Sequence, residues 1–171
     1  MGNESRREIF DIVDEHDKVT GQASRQEVHN DPSLIHRVVH VLVFNPAGEL
    51  FLQKRSPFKD VHPGKWDTSV GGHVEAGESY EHAALREMKE ELGIQETKLE
   101  FLHTYLHRNS YESEFVRSYR CCWDGSVRTD PKEIAEGRFW SLKEINDSDQ
   151  LLFTPNFLDE LKRFKNLCPS V

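Results

Sequence analysis

The sequence predicts a mixed α/β domain in which helices pack on both sides of a mixed sheet. Three observations carry that expectation: an apolar, β-branched run at residues 37–45 (RVVHVLVFN), a helical stripe within residues 72–94, and an amphipathic helix near the C-terminal end. In chain order, EIFDIV (8–13) reads as a short strand, DEHDKVTGQ as a polar turn and RQEVH as an extended segment. The 37–45 run is too continuous for a half-exposed strand, so both of its faces should be buried. Asn45-Pro46-Ala47-Gly48 turns it into a hairpin partner, ELFLQKR. After a loop from Pro57 to Gly64, WDTSV forms a brief strand, and LEFLHTYLH, FVRSYRCCW and RFW supply the later ones. Ser141-Leu142-Lys143-Glu144 has the form of a capping box and opens a short helix. Thr154-Pro155 opens the last helix, about 155–167, where Phe157, Leu161, Phe164 and Leu167 form one apolar stripe with a structural role.

A chain of 171 residues, 36% of them hydrophobic, fits one domain spanning 1–171 with a single sizeable core. Its net charge of −8 and pI near 5.6 speak against a broad nucleic-acid or membrane surface but allow a local basic cleft. Cys121, Cys122 and Cys168 make neither an even disulfide framework nor a metal-ligand spacing, and the first two point to opposite faces of a strand. A reducing cytoplasm is the expected setting. MGNESRREIF has the composition of neither a signal peptide nor a membrane span, and no later stretch reaches about 18 apolar residues. Arg6 stands where a myristoylation signal at Gly2 needs Ser or Thr, and Pro169 breaks the prenylation pattern.

The densest chemistry lies in GHVEAGESYEHAALREMKEELGI, residues 72–94. Glu87, Glu90 and Glu91 fall at i, i+3 and i+4, so three carboxylates crowd one side of a helix directly after a glycine-rich loop. Such like-charge pairs oppose an isolated helix by about 0.2–0.5 kcal/mol each, and a hard divalent cation turns that repulsion into a binding site. Mg²⁺ binds through one or two carboxylates plus substrate phosphates, so the cluster reads as half of a site completed by a phosphorylated ligand. The bland alternative is a solvated acidic face with Arg86 and Glu90 as an i,i+4 pair. Ser79 is the expected N-cap and Gly93 the C-terminal stop, while Ala84, Met88 and Leu92 make the apolar stripe. Met88 and Leu92 then pack on the sheet, and Ala83, Glu87, Glu90 and Glu91 face a cleft. Gly71, Gly72 and Gly77 are expected to supply positive φ and close backbone approach.

This segment resembles the Nudix box, G-x5-E-x7-R-E-U-x-E-E-x-G-U with U a large aliphatic residue. Gly72, Glu78, Arg86, Glu87, Met88, Glu90, Glu91, Gly93 and Ile94 meet it throughout. The resemblance implies a Nudix-type α/β/α sandwich with a mixed central sheet. It also implies that Glu87, Glu90 and Glu91 are metal ligands for Mg²⁺, with Mn²⁺ as the alternative, and that Gly72 adds a carbonyl. Arg86 and Glu78 become a supporting ion pair that holds the loop against the helix.

A second resemblance reaches over most of residues 9–140. GQASRQEVHNDPSLIHRVVHVLVFN and LFLQKRSPFKDVHPGKWDTSVGGH look like type I isopentenyl-diphosphate isomerases and hydrolases related to them. In that family two histidines seven apart, a third just before the box and two glutamates spaced E-x-E build a metal site. His29, His36, His73, Glu112 and Glu114 occupy the matching places, and Arg25, Arg55 and Lys59 match residues that hold a diphosphate. The other reading of the histidines is hydrogen bonding that shapes the cleft, and His16, His62, His82, His103 and His107 are assigned no role. Two departures matter, and the first is that Gly71 stands where the isomerases carry a catalytic cysteine, which removes an acid/base group from the allylic proton shift. The isomerases also carry a degenerate box, whereas this one is intact.

The expected activity is therefore metal-dependent cleavage of a diphosphate linkage, in a nucleoside-diphosphate-type or isoprenoid substrate, by water attack at phosphorus. Glu87, Glu91 and Glu114 are the catalytic candidates, with Glu133 and Glu136 as further bases. The competing readings are an isopentenyl-diphosphate isomerase and a catalytically idle sensor of diphosphate ligands. The expected partner is a small diphosphate, with no membrane and no broad nucleic-acid surface, and homodimerisation is left open.

Overall fold

A computed structural model describes residues 8–59, 61–131 and 134–169. The lipidation readings at Gly2 and Arg6, most of the N-terminal segment and Glu133 lie outside the described residues. In order, the elements are β1 (Ile9–Val13), β2 (Val19–Ser24), α1 (Arg25–Val28), β3 (Ile35–Phe44), β4 (Leu50–Arg55), β5 (Trp66–Asp67) and β6 (Val70–His73). Then come α2 (Tyr80–Leu92), β7 (Glu100–Arg108), β8 (Ser113–Cys122), β9 (Ile134–Trp140), α3 (Leu142–Asp147), a 3₁₀ turn (Gln150–Leu152) and α4 (Pro155–Leu167).

The hub is β3, the run whose two faces were expected to be buried. It pairs in parallel with β8 from Ile35↔Ser113 to Phe44↔Cys122, and antiparallel with β1 and β6 on its other edge. Side chains alternate along a strand, so β3 divides the core in two. Val39, Val41 and Val43 pack with Ala83, Ala84, Met88 and Leu92 of α2, whereas Leu42 joins Phe157, Leu161 and Phe164 of α4. The result is the expected three layers, with α2 on one side of a mixed sheet and α3 and α4 on the other.

Helix ends follow local chemistry. The Ser79 hydroxyl accepts from His82 N, and Gly93 ends α2 in the left-handed region at φ +67°. Thr154 caps α4 with Pro155 in its first turn, and Leu167 is exposed at the far end of the stripe.

Several expectations need correction. RQEVH is not extended: Ser24 and Glu27 form a reciprocal capping box that winds Arg25–Val28 into one helical turn. The polar turn is shorter than expected, because Val19–Ser24 pairs with β1 as β2. WDTSV is two strands, β5 and β6, separated at Thr68-Ser69. β3 and β4 close the expected hairpin with a single paired position, Phe44↔Leu50, and beyond it β4 pairs with β5 and β9. Val38 and His40 of β3 and Gln53 and Arg55 of β4 line a common cleft. Ala83 packs into the core and does not face the cleft. Of the three loop glycines only Gly77 has positive φ, at +75°. Cys121 is buried and Cys122 exposed, as alternation requires.

Candidate active site

The cleft has a volume of about 900 Å³ and receives side chains from α1, β3 through β6, α2, β8 and α4. Gly72 is where the box closes up. A Cβ there would lie 2.1 Å from Glu87 Cδ and 2.4 Å from its Oε1, so only glycine lets β6 pass under the Glu87 carboxyl.

Arg86 holds this arrangement together. Its Nε and one terminal nitrogen donate to the two Glu78 oxygens, each at 3.0 Å, and the same nitrogen reaches the His73 carbonyl at 2.9 Å. The other terminal nitrogen donates to Glu87 at 2.7 Å and approaches Glu90 at 3.5 Å. This fork ties the loop before α2 to the helix, as the supporting pair was expected to. The three box acids differ in setting. Burial pushes the Glu91 carboxyl up to about 8, despite a 2.6 Å hydrogen bond from the Gln53 amide. Burial also raises Glu87, with Arg86 opposing. Glu90 is more than half exposed and touches the site through Arg86.

The three matched histidines converge beside the box. His29 Nε2 lies 3.1 Å from His73 Nε2, and one ligand atom from each of His29, His36 and His73 falls within 4.8 Å of the others. His36, Glu112 and Glu114 meet the same criterion, and the His36–Glu114 separation is 3.9 Å. Phe10 stacks on His73 and His36, closing the cluster from the β1 side. Burial lowers His36 to about 4 and His73 well below its ordinary value, so these imidazoles are neutral and offer lone pairs. Burial together with Glu112 raises Glu114 to about 7. Both ring nitrogens of His36 are buried and, among the described residues, make no hydrogen bond of good geometry, with the Leu34 and Ser113 backbone the nearest polar groups that act on the ring. Buried polar nitrogens are rarely left so, and neutral imidazoles next to carboxylates are the donor set that a divalent cation takes.

Arg25, Arg55 and Lys59 all line the cleft. Arg25 pairs with Glu8 at 2.7 Å, and Arg55 with Asp67 at 3.2 Å and the Val61 carbonyl at 2.9 Å. Among the described residues nine carboxylates line the cleft against four Lys or Arg, so an anionic ligand entering it needs further positive charge. Glu136 is not brought here; it is exposed on β9 near Lys54.

Sequence reasoning missed three residues. Gln53 on β4 donates to Glu91 and to the Ser69 carbonyl, bridging the two parts of the sheet. His40 and Glu160 meet across the α4 face at 3.1 Å. One signal for Glu160 was present: it falls at i+3 between Phe157 and Leu161, inside the apolar stripe of α4.

Comparison with known proteins fits this geometry. The NUDIX domain profile matches residues 34–161. An uncharacterized Nudix hydrolase of Pseudomonas aeruginosa is 34% identical over 161 residues, covering 94% of this chain and 95% of that protein. An isopentenyl-diphosphate Delta-isomerase of Photorhabdus laumondii is 28% identical over 160 residues, covering 87% of this chain and 90% of the isomerase. Among solved structures, a protein from Deinococcus radiodurans superposes with a TM-score of 0.77 at 27% identity, covering 92% of this chain and 99% of that one. Among the described residues no helix is long and apolar enough to cross a membrane.

Proposed function

We propose that this chain, which belongs to the Nudix hydrolase family, cleaves a diphosphate linkage in a nucleoside-diphosphate-type or isoprenoid substrate with a divalent cation's help. The observation that carries the reading is the burial of Glu87 against Gly72, with Glu91 buried beside Gly71, in an acid-rich cleft where a cation would stabilise the concentrated charge.

Glu87, Glu90, Glu91 and the Gly72 carbonyl would hold Mg²⁺ or Mn²⁺. His29, His36 and His73 with Glu112 and Glu114 form a second donor set, whose neutral imidazoles suit the softer of the two ions. When bound, such an ion neutralises charge growing on phosphoryl oxygens and lowers the pKa of a water. The protein's own groups do the rest. Arg25, Arg55 and Lys59 bind and orient the diphosphate, and the Arg86–Glu78 fork keeps Glu87 against Gly72. Glu91 and Glu114, whose protons burial retains until a cation displaces them, are in their ionised form the carboxylates placed to take a proton from the attacking water.

Those protons set a pH dependence. At pH 7 Glu91 is mostly protonated without a cation, and Glu114 about half so. A cation at the α2 acids must displace the Glu91 proton, so Mg²⁺ binding there should release about one proton, and affinity should rise with pH until that carboxyl is ionised. Titration calorimetry in buffers of different ionisation enthalpy reads this directly. Binding without proton release, at an affinity flat across neutral pH, would refute it.

The isomerase reading is favoured by the convergence of His29, His36 and His73 with Glu112 and Glu114, and opposed by Gly71, which has no side chain to move a proton. The test of hydrolysis is a panel of nucleotide sugars, dinucleoside polyphosphates, nucleoside triphosphates, capped RNA ends and isopentenyl diphosphate, incubated with Mg²⁺ or Mn²⁺ and followed by phosphorus NMR. Release of a phosphate or monophosphate from at least one is expected. Clean return of every substrate would overturn the reading.

A further inference from the structure

Glu160 is fully buried in the middle of the apolar face of α4, where a charge has no packing reason to be. Its carboxylate meets three partners: His40 Nδ1 at 3.1 Å, His103 Nε2 at 3.0 Å and the Tyr105 hydroxyl at 2.6 Å. A carboxylate taken out of water is tenable when donors satisfy it and a cation balances it. These contacts hold Glu160 well below the usual carboxylate range, against the opposing pull of burial. An ionised carboxylate only accepts, so the His40 nitrogen facing it carries a proton and donates. That leaves Nε2 as the ring nitrogen free to act elsewhere.

The ring edge bearing Nε2 points to the cleft. His40 is one of the residues lining it, and a Cβ placed on Gly71 would lie 3.5 Å from His40 Cδ2 and 3.8 Å from Nε2. Glycine puts no side chain into that space. The backbone N–H of Gly71 in turn meets the Glu91 carboxyl. His40 thus stands next to the glycine that touches a box acid, on a strand anchored by ten paired residues to β8.

We propose that His40, clamped through Nδ1 by Glu160, contacts a phosphoryl oxygen of the substrate through Nε2–H in the space beside Gly71, with Glu160 as its positioning residue. The inference rests on the hydrolase reading above and adds a substrate contact outside the box. Charge favours it. Burial alone would discharge His40, but the hydrogen bond and charge of Glu160 prevail and hold it raised, with Glu114 from β8 and Asp67 from β5 acting in the same direction. His103 and Tyr105 of β7 complete the shell around Glu160. Glu160 favours the doubly protonated imidazole, and on the floor of the cleft its Nε2–H gives an incoming phosphoryl group a fixed donor.

The test separates contact from scaffolding. Imidazole NMR of the wild-type protein should show both His40 nitrogens protonated at neutral pH. The Nε2 resonance should move when methylenediphosphonate is added. His40→Asn keeps an amide donor for Glu160 and loses the cleft-facing nitrogen; kcat/KM should fall about 10- to 100-fold, the worth of one hydrogen bond to a charged group. Glu160→Gln should fall in the same direction and shift the alkaline limb of the pH profile to lower pH. An Nε2 resonance indifferent to the diphosphonate overturns the proposal, whether or not the variants fold. So does a His40→Asn enzyme with wild-type kcat and KM. If the wild-type enzyme hydrolyses nothing while Nε2 still responds, the hydrolase reading fails and the His40 contact stands.

Discussion

Glu87→Gln is expected to lower turnover on the order of 100-fold or more while leaving the fold intact. The side chain reaches the cleft from α2, with one oxygen accepting from Arg86 at 2.7 Å. Glutamine has the same shape and keeps an oxygen for that bond, so the Arg86–Glu78 fork and the packing of Met88 and Leu92 should survive. What disappears is the negative charge, and with it a cation ligand or a proton acceptor. Steady-state kinetics with a thermal melt on the same preparation check both halves. Unaltered turnover in a folded variant would remove Glu87 from the machinery.

Gly72→Ala should cost as much by a different route. The added methyl carbon would fall 2.1 Å from Glu87 Cδ and 2.4 Å from Cγ, far inside contact. The obstacle is the end of a flexible side chain, so Glu87 can swing away and the protein can still fold. In doing so it leaves Arg86 and the cleft. A loss of about 100-fold is expected, and adding Glu87→Gln to Gly72→Ala should lower turnover little further, because both changes remove the same group. Independent, multiplying losses would contradict the contact.

Much of the architecture was legible because it is encoded locally. The β3 run, the Ser79 cap, the Gly93 stop and the α2 and α4 stripes are patterns of period two or 3.6 that tertiary packing had no cause to override. Short elements were harder. Arg25–Val28 is one turn held by Ser24 and Glu27, and its few residues carry no helical period, although the capping-box spacing was there to be read. The turn from Asn45 to Glu49 closes the expected hairpin at Phe44↔Leu50, but the divergence of β3 from β4 beyond that pair was invisible, since it is set by long-range pairing of β4 with β9.

The box acids were legible from spacing, but the convergence of His29, His36 and His73 was not. They come from the end of α1, from β3 and from β6, and only the isomerase likeness pointed to them. His40 and Glu160 lie 120 residues apart and meet through the packing of α4 on the sheet, which no local pattern specifies. Glu160 within an apolar stripe was the one local hint.

The most direct measurement is to run the hydrolysis in water enriched in heavy oxygen and follow the label by phosphorus NMR and mass spectrometry. Water attack at phosphorus predicts heavy oxygen on one phosphate product and none on the organic alcohol. Label found in the alcohol, or an isoprenoid diphosphate rearranged with its phosphates unbroken, would contradict cleavage at phosphorus by the carboxylates of α2.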